Sequence, residues 1–170
     1  MQLKFTHFCF SILLVFFAAW KIAAQQKAPV FSPVYTVRVI QIIKAKNLRE
    51  KNIDSATTIE TAAGDVVIRE GFTTTYCDSV VINRRTNVVE AFGNVHINDN
   101  DSIHTYAQYL RYVGGERIAY LKKSVKLTDK KGVLSADDIE YNLRTGIAAY
   151  KDGGRVVNGK TTLTSKEGVY

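Results

Sequence analysis

The chain has 170 residues, a formal net charge of +7, two cysteines, two prolines and eleven glycines. Its mild basic excess favours acidic or phosphorylated partners, but it carries no recognisable nucleic-acid-binding motif, so nucleic acid is not an expected partner. No glycine-rich phosphate loop, zinc-ligand spacing or supported Ser/His/Asp order occurs, so we predict no catalytic residue, no cofactor and no enzymatic activity.

The first element is an apolar segment at the N-terminus. Residues 1–24 begin with a positive charge at Lys4, continue as an apolar run and end in small residues before the polar sequence QQK. This order is typical of a cleaved secretory signal peptide. The alternative is an uncleaved membrane anchor, but the apolar run is shorter than the roughly 18 residues of a spanning helix. We therefore expect an exported protein with a flexible leader at 25–36 and a folded domain at 37–170.

Loss of the signal peptide changes the cysteine count and the charge. Cys77 would be the only remaining cysteine, so the mature chain could form no internal disulfide. A small buried strand residue is the preferred interpretation of Cys77, because no candidate base lies near it in the sequence. Lys4 and Lys21 leave with the signal peptide, so the net charge falls from +7 to +5.

The rest of the chain has the pattern of β-strands. Both prolines precede residue 34, and all glycines lie at Gly64 or later. A long stretch without proline suits a continuous hydrogen-bonded ladder, and glycines at intervals mark turns. Apolar residues alternate in GDVVI, GNVHI and SVKLT, which is the period of a half-buried strand. The sequence therefore predicts an all-β fold.

A repeat of about 30 residues organises these strands. Its copies begin at Tyr76, Tyr106 and Ser135, and a degenerate earlier copy places Ala45 and Leu48 at the small and apolar positions. Each copy is predicted to contain roughly three short strands joined by short turns, which favour antiparallel neighbours. Stacked units would bury their apolar faces together. We expect an elongated, solenoid-like stack of antiparallel strands.

The register of the repeat defines one inward face. A one-residue bulge would move a side chain to the other face, so the assignment depends on regular pleating. The interior is either a packed core or an open groove. The predicted lining residues are Val66, Ile68, Val80, Ile82, Val95, Ile97, Leu110, Tyr112, Val125, Leu127, Ile139 and Tyr141.

The stretch HINDNDSIH allows two interpretations. Its His96, Asp99, Asp101 and His104 could converge on a metal, or the stretch could be a solvated hairpin turn. The glycine and the closing glutamate of a calcium loop are missing. We therefore predict a hairpin and no metal site.

A basic stretch follows in the next repeat. It is predicted to be a solvated face that protects an edge strand against aggregation. The alternative is attraction to the phosphate groups of a lipid headgroup or membrane surface. The residues are Lys122, Lys123, Lys126, Lys130 and Lys131.

The order of three short motifs gives the chain a family resemblance. These motifs are CDS at 77–79, GNV at 93–95 and A-D-x-I-x-Y at 136–141. With the recurring strands they resemble the OstA-like family over about residues 38–170. That family includes the periplasmic lipopolysaccharide transport protein LptA and the periplasmic domain of LptD.

The resemblance implies an open, V-shaped β-jellyroll in the periplasm, with acyl chains of lipopolysaccharide sheltered against the predicted lining residues. It implies lipopolysaccharide or lipid A as ligand. It also implies edge-strand pairing with other Lpt-type proteins or with further copies of the chain, in a bridge between inner- and outer-membrane transport complexes. Exposed acyl chains cost about 0.8 kcal/mol per CH₂, so such a carrier needs a continuous apolar lining and no catalytic residue.

Two other functional hypotheses are alternatives to a lipid carrier. An exported structural β-solenoid would have a closed core and no lipid ligand. A secreted carbohydrate-binding module, the weaker reading, would need exposed aromatic platforms. The chain ends on a predicted strand without a capping element, which suits either an array-forming module or the N-terminal part of a longer protein.

Overall fold

The computed structural model describes residues 39–170, which belong to one compact unit. The predicted signal peptide and leader lie outside the described residues. Among residues 39–170, no helix is long and apolar enough to traverse a bilayer. The strands are β1 (Gln41–Lys44), β2 (Asn47–Asn52), β3 (Thr58–Glu70), β4 (Thr73–Asn83), β5 (Val88–Asp99), β6 (Ile103–Val113), β7 (Ile118–Thr128), β8 (Val133–Asn142), β9 (Ile147–Tyr150), β10 (Gly154–Asn158), β11 (Thr161–Ser165) and β12 (Gly168–Val169).

All twelve strands join one open sheet in which every pair is antiparallel. The order is β1-β3-β4-β5-β6-β7-β8-β10-β11, with β2 also paired to β3, and with β9 joining β8 to β12. From β3 to β8, each strand pairs with the next strand in the chain, because short turns favour antiparallel hairpins. The predicted all-β antiparallel class is confirmed.

A line of β-bulges crosses the middle of this sheet. Each bulge sets two residues of one strand against one residue of its neighbours, which bends the strand and increases its twist. At the same level the chain breaks between β9 and β10, where Gly153 has φ +97°. The bulge residues all have positive φ and are Gly64 and Asp65, Gly93 and Asn94, and Lys123 and Ser124.

The bulges correct the predicted repeat unit. The sequence predicts two short strands at VVEAF and GNVHI, but both stretches belong to the single strand β5. On β5 the inward residues Val89, Ala91, Val95 and Ile97 stay an even number of residues apart, and the hydrogen-bonded ladder continues. The Gly-Asn pair between the two apolar stretches has the composition of a turn, so one long strand has the pattern of two. Only in the last copy is the break complete, between β9 and β10.

The bulge line divides the sheet into two arms. Arm A consists of the strand segments at 58–63, 79–83, 88–92, 109–113, 118–122, 138–142 and 147–150. Arm B consists of the segments at 66–70, 73–77, 95–99, 103–107, 125–128, 133–136 and 154–158.

The GNV motif forms one of these bulges. Asn94 adopts the left-handed conformation, with φ 46°, and its side-chain Nδ2 donates a hydrogen bond of 2.9 Å to Asp78 Oδ2. Gly93 has φ +71°, and a Cβ atom at this position would overlap the Asp78 carboxylate. Glycine is therefore favoured here by its backbone conformation, and any side chain would have to displace the Asp78 carboxylate.

The core lies on the inward face of both arms. On β4, the buried positions are Thr75 and Cys77 before the bulge and Val80 and Ile82 after it. Cys77 is buried as predicted, and burial, with a smaller effect of the Asp78 charge, raises the pKa of its thiol to about 11. A thiol with that pKa stays protonated at neutral pH and is a poor nucleophile.

The degenerate first copy continues the core only in part: Ala45 is partly buried against the core cluster, but the strand β2 that follows is not. Leu48, aligned with the inward positions of the later copies, is 61% exposed on β2. The strand β2 pairs only with β3, so it forms part of the sheet edge. All six of its residues are exposed, because nothing packs against this strand within the described residues.

Candidate functional site

The inward faces of arms A and B face each other across a narrow cavity of ≈ 50 Å³. Arm A contributes apolar side chains to it, and arm B contributes apolar side chains together with polar groups near the hairpins. The main apolar lining is Val89, Leu110, Tyr112 and Tyr141 from arm A, and Ile68 and Ile97 from arm B, with Ile103 from the start of β6.

All twelve predicted lining residues belong to the inward face. Eleven are buried, and Ile97 is partly buried against the same core cluster. The sequence therefore predicted their common side correctly, even across the bulges.

Only some of the twelve reach the cavity itself. Those that line it are Ile68, Ile97, Leu110, Tyr112 and Tyr141. The remaining seven are packed in the core, and most of them flank the bulge line, where the two arms converge. They are Val66, Val80, Ile82, Val95, Val125, Leu127 and Ile139. Contact of any of the twelve with lipid stays a prediction.

The cavity rim contains hydrogen bonds between the arms. Tyr112 Oη of arm A donates to Glu70 Oε2 of arm B at 2.7 Å. Burial, followed by the hydrogen bond with Glu70, raises the pKa of Tyr112 well above its usual range. The Tyr112 hydroxyl therefore remains a hydrogen-bond donor at any physiological pH.

A second rim contact involves the last residue of the chain. Tyr170 Oη donates to Asp129 Oδ1 at 3.0 Å. Burial acts to raise the pKa of Asp129, but hydrogen bonds from the backbone amides of Gly132 and Lys131 hold it below its ordinary value. The carboxylate is therefore a strong acceptor for the Tyr170 hydroxyl.

Sequence analysis did not identify the acidic side of this rim. Glu70, Asp99 and Asp129 follow the repeat at intervals of about 30 residues, each at or directly after the end of a long strand. That recurrence was the sequence signal from which these three carboxylates could have been identified. It was missed because the repeat was aligned on its apolar positions.

The HINDNDSIH stretch forms the β5–β6 hairpin, as predicted. His96 Nε2 and His104 Nδ1 lie 3.1 Å apart, within hydrogen-bonding distance. His96 also stacks on Tyr106, with ring centroids 4.5 Å apart. Within residues 39–170, no group of three or more His, Cys, Asp or Glu side chains is arranged to hold a metal ion.

The environment of His96 predicts a pH dependence of stability. Burial, followed by the charge of His104, lowers the pKa of His96 below its usual value near 6.5. A lowered pKa in the folded state stabilises the fold above pH 6.5, and that contribution is lost as the pH falls through the folded-state value. We expect the urea midpoint to decrease between pH 7 and pH 5, and the decrease to be smaller in H96Q.

The partner variant H104Q provides the control for this prediction. It retains His96 and its burial, which is the larger cause of the pKa shift. Part of the wild-type pH dependence should therefore persist in H104Q. An identical pH dependence of the urea midpoint in wild type and H96Q would contradict the assignment.

The basic stretch has a different position from the one predicted. Its lysines are exposed, in accord with a solvated face. They do not protect an edge strand, because β7 pairs with both β6 and β8 inside the sheet. Lys122 lies 3.8 Å from Asp138, but both side chains are about half exposed, so this ion pair adds little stability.

Comparison with known proteins gives a family and a related fold. A sequence profile of the family described as OstA-like protein matches residues 38–170. No curated protein matches the chain. The fold is similar to the crystal structure of LptH, described as the LptA-homologous periplasmic component of the lipopolysaccharide transport device of Pseudomonas aeruginosa. The two chains share 18% identity with a TM-score of 0.57, over 65% of this chain and 80% of that chain.

Proposed function

The chain belongs to the OstA-like protein family, and we propose that it is a periplasmic lipopolysaccharide transport module. It shelters acyl chains between arms A and B and helps to bridge the inner and outer membranes during outer-membrane assembly. The observation that carries this proposal is the apolar cavity between the two arms. The description of the LptH structure as part of a lipopolysaccharide transport device agrees with it.

The chemistry of the cavity suits hydrocarbon chains. Its walls are branched aliphatic and tyrosine side chains, and the polar groups concentrate where arm B meets the hairpins. Removal of a methylene group from water gains about 0.8 kcal/mol. An acyl chain along this lining would therefore be stabilised without any specific polar contact, which is what a carrier that passes its ligand onward requires.

The free cavity is narrow, so acyl chains enter only when the arms separate. Two rim hydrogen bonds, from Tyr112 to Glu70 and from Tyr170 to Asp129, oppose that separation. Because each acceptor is a carboxylate, each bond contributes about 1.5–3 kcal/mol net, which is comparable to the burial of two to four methylene groups. Burial of a long acyl chain can offset their loss.

The edges of the sheet support end-to-end association. At one end, the strands β1 and β2 leave one side unpaired within the described residues, and Ile43 and Leu48 are exposed there. At the other end, β11 and β12 each have one unpaired side within the described residues, and Leu163 and Val169 are exposed there. Open strand edges accept a further strand from another chain. We propose Lpt-type proteins, or further copies of this chain, as the partners.

Photo-crosslinking tests the carrier function. A photoreactive phenylalanine at Leu110 or Ile97 lies in the cavity lining, whereas the same group at the exposed neighbour Arg111 points outward. We expect lipopolysaccharide to be captured from positions 110 and 97 and not from 111. The readout is a lipid-bearing band on gels, identified by mass spectrometry.

The same experiment distinguishes the carrier from the alternative function, an exported scaffold with a closed core. That alternative has one observation in its favour, since seven of the twelve predicted lining residues are packed away from the cavity. The scaffold alternative requires that neither Leu110 nor Ile97 captures lipid, in variants that unfold cooperatively and are therefore folded. Capture from Arg111 alone would also contradict the proposed cavity.

A further inference from the structure

Arg117 occupies a backbone conformation that arginine disfavours. It ends the turn between β6 and β7 with φ 59°. In the neighbouring copies of the repeat, the equivalent turn positions hold Asn87, with φ 52°, and Gly146, with φ 72°. Asparagine and glycine are the residues that tolerate this left-handed conformation best. An arginine at this position destabilises the turn, which points to a use for its side chain.

The side chain of Arg117 is also incompletely satisfied. Its Nε atom is buried, and among residues 39–170 it has no hydrogen-bond partner. It is the only buried side-chain nitrogen or oxygen of these residues in that situation. A buried donor without an acceptor is unusual in a native fold and calls for an explanation such as a missing ligand.

The guanidinium of Arg117 lies beside Tyr112, whose side chain lines the cavity. The backbone carbonyl of Arg117 accepts a hydrogen bond of 2.9 Å from the amide of Leu143, and Leu143 lines the cavity. The side chain lies close enough to the Tyr112 hydroxyl to oppose the rise of its pKa, which burial and Glu70 cause. Glu70 binds Tyr112, and no ion pair joins it to Arg117 in the described part of the chain.

The other turn arginines of arm A are placed differently. Arg84 pairs with Glu60 and donates to the backbone carbonyl of Ile40. Arg144 is exposed in the following turn. Arg117 thus combines three properties: strain, an unpaired buried donor, and a position beside the apolar cavity.

We propose that Arg117 is an anion-binding residue of the cavity rim and receives a phosphate group of an amphiphile whose acyl chains lie between the arms. This inference rests on the proposed function and adds a polar subsite to it. The Nε–H and Nη–H groups of a guanidinium match two oxygens of one phosphate. When the arms separate and Tyr112 leaves Glu70, the phosphate supplies the acceptor that Nε lacks.

Substitution of Arg117 by asparagine, the residue of the equivalent turn, tests the proposal. We measure displacement of the apolar dye N-phenyl-1-naphthylamine by dodecyl phosphate, by dodecyl maltoside and by inorganic phosphate, with both detergents below micelle-forming concentrations. The wild type should prefer dodecyl phosphate over dodecyl maltoside by roughly tenfold. In R117N the two affinities should agree within about twofold. R144N, which removes an exposed turn arginine, should keep the wild-type preference.

Thermal unfolding gives a second readout that a structural role would not produce. R117N should raise the melting temperature by about 2–4 °C, because it removes backbone strain. If R117N does not fold, R117G, which reproduces Gly146, replaces it. A lower melting temperature in both variants would assign Arg117 to the fold and overturn the proposal.

The binding results separate the possible failures. An equal affinity of wild type for both detergents, or an unchanged preference in R117N, overturns the subsite and leaves the apolar carrier intact. Competition by inorganic phosphate as strong as that by dodecyl phosphate identifies a free-phosphate site and overturns the amphiphile. If neither detergent displaces the dye, the carrier function fails, and the subsite fails with it.

Discussion

Replacement of Gly93 by alanine is expected to lower the free energy of unfolding by about 2–4 kcal/mol. Two effects add at this position. With φ +71°, the backbone is in the left-handed region, which costs a non-glycine residue about 1–2 kcal/mol. The new Cβ also overlaps the carboxylate of Asp78, which Asn94 holds from the other side of the bulge. Urea unfolding followed by circular dichroism measures the loss.

Gly146 provides a matched control for this prediction. Its φ of +72° is nearly that of Gly93, but a Cβ atom at Gly146 would meet nothing within 4 Å. Gly146→Ala should therefore show only the backbone effect, about 1–2 kcal/mol. In the double variant G93A/D78A, the overlap is relieved and part of the stability should return. Equal losses in G93A and G146A would show that the contact with Asp78 has no role.

Replacement of Leu134 by alanine is expected to cost about 2–5 kcal/mol of unfolding free energy. Leu134 is 0% exposed, and on the inward face of β8 it is paired in register with Leu127 on one side and Val156 on the other. Truncation leaves a cavity that these neighbours fill only in part. The same urea titration at constant pH measures the change.

Leu163 is the control for the packed interior. It is 62% exposed on β11, so Leu163→Ala should change the free energy of unfolding by no more than about 0.5 kcal/mol. A small effect of L134A, similar to that of L163A, would contradict a packed interior at this position. That outcome would favour a groove open to solvent along the whole inward face.

Much of the architecture could be predicted from local sequence. The proline-free stretch, the alternating apolar residues and the repeat of about 30 residues indicated antiparallel strands and a common inward face. Val80 and Ile82 illustrate why this worked. Each is fully or almost fully buried, and their two-residue spacing fixes their side relative to each other whatever the neighbouring strands do. The family resemblance, inferred from the order of short motifs, is confirmed by the match over residues 38–170.

The number of strands per repeat could not be predicted in the same way. A bulge in β5 inserts one residue at Gly93 and Asn94, and the hydrogen-bonded ladder continues on both sides of it. From sequence, a Gly-Asn bulge inside one strand and a Gly-Asn turn between two strands have the same appearance. Only the pairing of β5 with both of its neighbours distinguishes them.

The cavity rim depends on contacts between distant parts of the chain. Tyr112 and Glu70 are 42 residues apart, and Tyr170 and Asp129 are 41 apart. Neither residue of a pair carries a local signal for the other, because the contact arises only when the bulges bring arm A to face arm B. The unpaired Nε of Arg117 is of the same kind, since its lack of a partner follows from burial.

The sequence by itself determined the strand class, the repeat, the inward face and the family, because each of these follows from side-chain period and motif order along one chain. The tertiary structure alone decided which inward residues line a cavity and which pack at the bulge line. It also decided which polar groups close the rim. Those properties depend on the distance between the two arms, which is set by the bulges acting together across the sheet and by no single strand.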